Sequence, residues 1–268
     1  MAAIDLIVTD LDGTLWDADE RIHVRTLDAL RELDRRGTPL LVATGRRPRS
    51  AAQGLAREGL QPPAVLLDGA VGHHLASGER FHRAPFARSA AAEVLAAFER
   101  CGISPCLYVD RAAADVVVGA HPSTHPQHLT HIGSWLARDD LSKVVEHSDV
   151  LAIGVVGCDE AMLRDVHAAI SGVAEAAVVR DFMFGQATLI ARPPGISKWQ
   201  GVEAYCDQQG LDATRVLALG DGENDIELLT AAAVSCVVSD GCDAALALAD
   251  HVIEPPATGG WCAVLDLV

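Results

Sequence analysis

Ile7-Val8-Thr9-Asp10-Leu11-Asp12-Gly13-Thr14-Leu15 decides how this chain is to be read. An apolar run ends in two acids one residue apart, and a glycine turn follows. An ordinary strand-to-helix turn needs at most one capping side chain there. The period of two of an extended backbone puts Asp10 and Asp12 on the same side, and the turn at Gly13 can bend Asp12 toward the mouth of a site. Two carboxylates that close repel each other unless a cation or a proton lies between them. The economical explanation is a divalent metal and a reaction that needs both a nucleophile and a proton carrier.

Three further segments have the same grammar. Leu40-Leu41-Val42-Ala43 ends in Thr44-Gly45-Arg46, and Lys198 opens a helical stretch. Val216-Leu217-Ala218-Leu219 ends in Gly220-Asp221-Gly222-Glu223-Asn224-Asp225. A strand-end hydroxyl, a lysine, and a strand-end group of acids and amide follow one another in the order that phosphoryl transfer by an aspartate requires. At these residues the chain resembles the haloacid dehalogenase-like (HAD) hydrolases, which are mostly phosphatases. DLDGTL, LLVATGR, GISKWQG and GDGENDIELL match the four motifs of that superfamily in order. The detail is similar to the Cof-type branch, subfamily IIB. The resemblance covers about 1–80 and 188–268, and the middle of the chain matches only in length and rough pattern.

Composition agrees with an α/β enzyme. Half of the 268 residues are apolar and only 4% are aromatic, so the core is built from Ala, Val and Leu. That favours helices packed on a parallel sheet over an all-β sandwich. A net charge of −16 argues against nucleic acid and anionic membranes as partners. It also means that local groups, not the global field, must hold a phosphorylated substrate. The apolar runs, such as Leu151 to Cys158, are far too short to span a bilayer, and the N-terminus lacks a basic leader. A cytoplasmic protein is expected, with oligomeric state left open. The seven cysteines contain no C-x-x-C pair and read as reduced thiols. Cys101 and Cys106 would pair only in an oxidising setting, for which nothing in the sequence argues.

Element alternation gives the organisation. Val24, Leu27, Leu30 and Leu33 form a helical stripe that Gly37 ends. A helix over 48–58 starts with proline, and Ala64–Leu67 is a further strand running into Asp68-Gly69-Ala70. The pattern resumes with a helix from Ser197 to Gln209, the Val216 strand, a helix from Asp225, the Val234–Val238 strand, a short helix near Asp243–Ala249 and the His251–Glu254 strand. This is a doubly wound parallel sheet, in which ligands bind at the carboxyl ends of strands. The stretch between Thr44 and Lys198 is too long for the sheet alone and holds an insertion of about 100 residues. The discontinuous core is expected at 1–83 and 188–268, and the inserted α+β domain at 84–187. Within the insertion the pattern predicts helices at 89–100 and 160–170 and strands at 106–109, 115–119, 151–156 and 176–179, with an irregular segment after 119. Its size and position resemble the type IIB cap, which implies a domain that covers the active site and contacts the leaving group.

The chemistry assigns candidate roles. Asp10 is the candidate nucleophile, forming an aspartyl-phosphate that water hydrolyses. Asp12 is the candidate general acid and then base. The resemblance also implies that the backbone carbonyl at Asp12 binds Mg2+. Asp221 is expected as the second metal carboxylate, and Asp225 as a metal group acting directly or through water, or else as a helix N-terminal acid. Thr44, the N–H of Gly45 and Lys198 are expected to bind phosphate. Asn224 resembles the motif residue that bonds phosphate or orients the lysine. Arg46 either binds substrate or braces the loop of Asp10. Asp68 stands where many relatives have Asn, and no role is assigned to it. His121, His125, His128 and His131 read as a surface or specificity loop rather than a zinc site, because Pro122 and Pro126 interrupt a regular helix there. Gly259-Gly260-Trp261 reads as structural.

The leading expectation is a magnesium-dependent phosphomonoester phosphatase acting on a small metabolite, a sugar phosphate by resemblance. A phosphomutase, similar to the phosphomannomutases, would use the same aspartate pair. A non-catalytic metabolite-binding protein on the same fold is the rival from another class.

Overall fold

The computed structural model describes residues 4–180 and 184–268. The first segment runs β1 (Leu6–Thr9), α1 (Val24–Arg36), β2 (Leu40–Ala43), α2 (Pro48–Arg57), β3 (Pro63–Leu66), β4 (Val71–His74) and β5 (Arg80–Arg83). There follow α3 (Arg88–Arg100), β6 (Cys106–Val109), β7 (Val116–Val118), α4 (Pro126–Ile132), β8 (Leu136–Arg138) and α5 (Leu141–His147). Next come β9 (Val150–Cys158), α6 (Glu160–Ile170), β10 (Glu175–Arg180) and β11 (Ala187–Arg192). The last segment is α7 (Lys198–Gln209), β12 (Val216–Gly220), α8 (Ile226–Ala231), β13 (Val234–Val238), α9 (Asp243–Leu246) and β14 (His251–Ile253). Two compact units result: one from the residues up to Arg83 and from Ser197 onward, the other from Ala84 to Ile196.

The first unit is the doubly wound α/β fold that the alternation predicts. Its sheet has the order β14-β13-β12-β1-β2-β3-β4-β5, and the strands from β14 to β3 are parallel. β1 is fully buried, as a strand covered on both faces must be. Leu6 and Val8 pack with Val202 and Tyr205 of α7 and Leu228 and Leu229 of α8. On one side of β1 the strand order ascends through β2 and β3, and on the other through β12 to β14. The chain therefore reverses between β1 and β12, and such a switch opens a crevice at the carboxyl ends of the strands. The antiparallel pair β4 and β5 extends the edge beyond β3. The sequence reading has no strand there, because Val71-Gly72-His73-His74 and Arg80-Phe81-His82-Arg83 are short and polar at an edge.

The second unit is α+β. Its sheet has the order β10-β11-β9-β6-β7-β8, with one face packed on α3, α5 and α6 through Val94, Phe98, Val144, Leu163 and Val166. β11 runs past the expected start of the second core segment at 188, because it pairs with both β9 and β10. The segment expected to be irregular carries α4, β8 and α5. Pro126 does not break α4 but begins it: a proline at the first helical position lacks only an N–H that would be unpaired anyway. His125 caps that helix, with its Nδ1 accepting from the N–H of Gln127 at 3.3 Å. His125, His128 and His131 then surround Phe184, at ring-centroid distances of 5.3, 5.9 and 5.6 Å. All seven cysteines, Cys101 and Cys106 included, are free thiols. Among the described residues no helix is long and apolar enough to cross a membrane.

Candidate active site

Three loops of the first unit meet at the switch between β1 and β12. Asp10 follows β1 directly and is 5% exposed. Ser197 caps α7 in a capping box with Gln200, which sets Lys198 as the first residue of the helix. A cation is disfavoured at a helix N-terminus. Lys198 is nevertheless wholly buried there, donating to Asp10 Oδ1 at 2.6 Å and to Asp225 Oδ1 at 2.7 Å. Two charge-assisted hydrogen bonds offset the dipole and the lost hydration.

Asp225 is also wholly buried, in the single turn that leads into α8. Its Oδ2 accepts the N–H groups of Asp221 and Gly222, at 3.1 and 3.0 Å. Its tuck depends on Gly220, where a Cβ would lie 2.5 Å from the Asp225 carboxyl carbon. Asp225 therefore acts both as an acid of the cluster and as the cap of the loop that carries Asp221. Asp221 accepts the hydroxyl of Thr14 at 2.9 Å. Gly13 has φ 78°, and a Cβ there would sit 2.7 Å from Asp221 Oδ2, so only glycine lets the two loops approach.

Asp10, Asp221 and Asp225 each offer a carboxylate oxygen, all within 4.8 Å of one another. Among the described residues this is the group with metal-ligating spacing, and the histidines of the second unit do not form one. Carboxylate oxygens suit hard divalent cations. The charge balance points the same way. Burial drives the Asp10 carboxyl well above its usual range; Lys198 opposes this, while Asp225, Asp221 and Asp12 reinforce it. Burial, then Asp225, pushes Asp221 up to about 7, against the Thr14 hydrogen bond and Lys198. Burial works against the charged form of Lys198, but Asp10, Asp225 and Asp68 outweigh it and hold the ammonium charged. One lysine cannot neutralise the group, and a divalent cation fits the surplus.

Asp12 faces elsewhere. Its side chain is 51% exposed and pairs with Arg46 rather than with Lys198. Thr44, the buried residue after β2, accepts the N–H of Arg46 on its hydroxyl at 3.2 Å. The loop after β3 docks on this turn by two backbone bonds: Leu67 N–H to Arg46 O at 3.0 Å and Asp68 N–H to Thr44 O at 3.1 Å. Leu67 and Asp68 both take positive φ, 49° and 50°. Left-handed backbone in a leucine stores strain, of the kind that functional loops tolerate. The Asp68 carboxylate lies against Gly45, where a Cβ would sit 3.1 Å from Oδ1. Asn224 donates its amide to that same Oδ1 at 3.0 Å.

The structure thus brings Asp10, Lys198, Asp221 and Asp225 together, joins Thr44 and Gly45 to Asn224 through Asp68, and sets Asp12 with Arg46. Thr14, Trp16, Glu20 and Asp68 are site neighbours to which the sequence reading assigns no part. Trp261, read as structural, is fully buried and donates its indole N–H to Thr9 Oγ1 at 3.0 Å. The Thr9 hydroxyl in turn donates to the carbonyl of Asp10 at 2.8 Å.

The switch point thus carries three clustered acids and one buried lysine. The chain belongs to the haloacid dehalogenase-like hydrolases, whose model matches residues 7–265. Relatives named as phosphatases accompany that membership, and the chain is a phosphatase enzyme. One is 5-amino-6-(5-phospho-D-ribitylamino)uracil phosphatase YitU of Bacillus subtilis, 28% identical over 92% of this chain and 90% of that protein. Another is phosphoglycolate phosphatase of Halorubrum lacusprofundi, 27% identical over 97% of this chain and 95% of its own length. Among solved structures, a haloacid dehalogenase-like hydrolase from B. subtilis superposes with a TM-score of 0.82 at 18% identity, covering 98% of this chain and 99% of its own.

Proposed function

We propose that this protein is a magnesium-dependent phosphomonoester phosphatase that acts on a small phosphorylated metabolite, a sugar or polyol phosphate, through an aspartyl-phosphate on Asp10. The observation that carries the reading is Lys198 bridging Asp10 and Asp225 beside Asp221. Asp10 attacks phosphorus, the P–O ester bond breaks, and the departing alkoxide takes a proton from Asp12. Asp12 then accepts a proton from water as that water attacks the aspartyl-phosphate, and inorganic phosphate leaves. Thr44, the N–H of Gly45 and Lys198 bind the phosphoryl oxygens, and Asn224 lines the same cradle beside Asp68. Asp10, Asp221, Asp225 and the carbonyl of Asp12 would hold Mg2+, which supplies charge neutralisation so that an anion can attack an anion.

The names of both relatives support a small monoester as substrate, a ribityl phosphate in one and phosphoglycolate in the other. The unit from Ala84 to Ile196 is proposed as the cap that selects among such esters. The test is phosphate release from a panel of sugar, polyol, nucleotide and cofactor phosphates, with Mg2+, with EDTA, and with Asp10→Asn. Metal-dependent release that vanishes in the variant is expected. Silence on every ester, with stable uptake of a phosphoryl group from a sugar bisphosphate, would instead favour a mutase.

A further inference from the structure

Asp12 is held more firmly than an exposed acid needs to be. Arg46 grips it with a fork: Nε donates to Oδ2 at 2.7 Å and Nη2 donates to Oδ1 at 2.6 Å. The indole N–H of Trp16 adds a third donor, to Oδ1 at 2.9 Å. Bidentate arginine fixes the plane and the direction of a carboxylate as well as its charge.

The grip is itself anchored. Nη1 of Arg46 donates to Glu20 Oε1 at 2.5 Å and to Ser50 Oγ at 3.4 Å. Glu20 is tied in turn to Arg57 at 2.8 Å. The guanidinium carbon lies 4.8 Å from the centroid of the Trp16 ring, in cation–π range. Trp16 has no room to shift: it is fully buried, and a Cβ on Gly54 of α2 would lie 2.7 Å from the ring. The side chain of Arg46 is only 15% exposed, against 51% for Asp12. A rigid support therefore presents an accessible carboxylate.

We propose that Arg46 is a positioning residue for proton transfer by Asp12, with Trp16 and Glu20 as its supports, and not a ligand of the substrate phosphate. The proposal rests on the phosphatase reading, in which Asp12 protonates the leaving group. Nε and Nη2 of Arg46 are committed to Asp12, and Nη1 to Glu20 and Ser50. To bind a phosphate, Arg46 would have to release a bidentate carboxylate. Its effect on catalysis must then appear where the proton matters and vanish where it does not.

The discriminating comparison is kcat/KM for glycerol phosphate and for p-nitrophenyl phosphate, both with Mg2+. An alkoxide leaves poorly without a proton, whereas p-nitrophenolate leaves without one. The ratio kcat/KM reports steps up to the first displacement, so the later role of Asp12 as base does not enter. Arg46→Ala is expected to lower the value for glycerol phosphate by about a hundredfold, the low end of what positioned acid catalysis supplies. The value for p-nitrophenyl phosphate should fall less than about fivefold. Arg46→Lys keeps the charge without the fork and should recover only part of the loss. Trp16→Phe keeps the ring without the N–H and should show the same leaving-group bias in weaker form. These two variants carry the comparison if Arg46→Ala does not fold. Equal losses on both esters would assign Arg46 to the phosphoryl group, and no loss on either would make it a surface brace; each overturns the proposal. A wild-type protein silent on both esters would overturn the phosphatase reading first, a result distinct from either.

Discussion

The ammonium of Lys198 sits 2.6 Å from Asp10 Oδ1, wholly out of solvent, at the first turn of a helix whose dipole opposes it. Asp225 completes the arrangement from the other side at 2.7 Å. A buried ion triad of this kind is a weak source of net stability, but breaking it from one side is costly. Lys198→Met leaves two buried carboxylates without their cation. A loss of about 3–5 kcal/mol in chemical denaturation with EDTA present is expected. Turnover should fall as well, because the transferring group loses a fixed charge. Adding Asp10→Asn to Lys198→Met should restore part of the stability and none of the activity. Independent, additive effects of the two substitutions would contradict the coupling.

Asp10→Asn by itself separates chemistry from folding. An amide cannot form the acyl phosphate, so activity should fall by about 10³-fold or more. Burial already holds the Asp10 carboxyl toward its neutral form in the metal-free fold. The uncharged isostere should therefore leave Tm at pH 8 in EDTA equal to that of the wild type or above it. A drop of several degrees would mean that the attraction of Lys198 outweighs burial.

Asp221 sets the direction of a pH dependence. Its carboxyl is pushed up to about 7 in the fold, from an ordinary value of 3.8. Between these values the folded, metal-free protein holds a proton that the unfolded chain has released. The stability this contributes is whole below the unfolded value and is lost as pH rises through about 7. Asp10, raised in the same sense, adds to the trend. In EDTA, Tm should decline between pH 5 and pH 8, and Asp221→Asn should flatten that decline. Magnesium should remove it too, because the ion takes the place of the protons and releases them on binding. Calorimetric titrations in buffers of different ionisation enthalpy would count those protons. Parallel slopes for wild type and Asp221→Asn would show that another group sets the pH dependence.

What was legible in the sequence follows from range. Asp10, Lys198 and Asp221 could be read because each directly follows a strand or opens a capped helix, so local pattern places them at one end of the sheet. The parallel order of the strands follows from the same alternation. The partner of Asp12 could not be read. Arg46 lies 34 positions away and its contact depends on how Trp16 packs on α2, which no local period encodes. The dual service of Asp225, to Lys198 on one oxygen and to two backbone N–H groups on the other, is likewise a tertiary fact. In the inserted unit, α4 is hidden from a sequence reading for a chemical reason. A proline reads as a helix breaker, yet Pro126 at the first helical position begins one.

Asp68 supplies the last prediction. It sits against Gly45 with its Oδ1 engaged by Asn224, so it adds a negative charge beside the turn proposed to hold phosphate. The backbone there is left-handed, a conformation that asparagine also accepts, and an asparagine Oδ1 can still take the Asn224 amide. Asp68→Asn therefore removes charge while keeping shape. Repulsion of a phosphate dianion should relax by about 1–2 kcal/mol at an effective dielectric between those of water and the protein interior. KM for a small phosphate ester should fall by about tenfold, and kcat should stay within about threefold. Inorganic phosphate should inhibit the variant more strongly by the same factor. Asp68→Ala would confuse the reading, because it removes the charge and also strains the turn. An unchanged KM in Asp68→Asn would mean that the field of Lys198 already cancels this acid at the phosphate, and that Asp68 serves the loop alone.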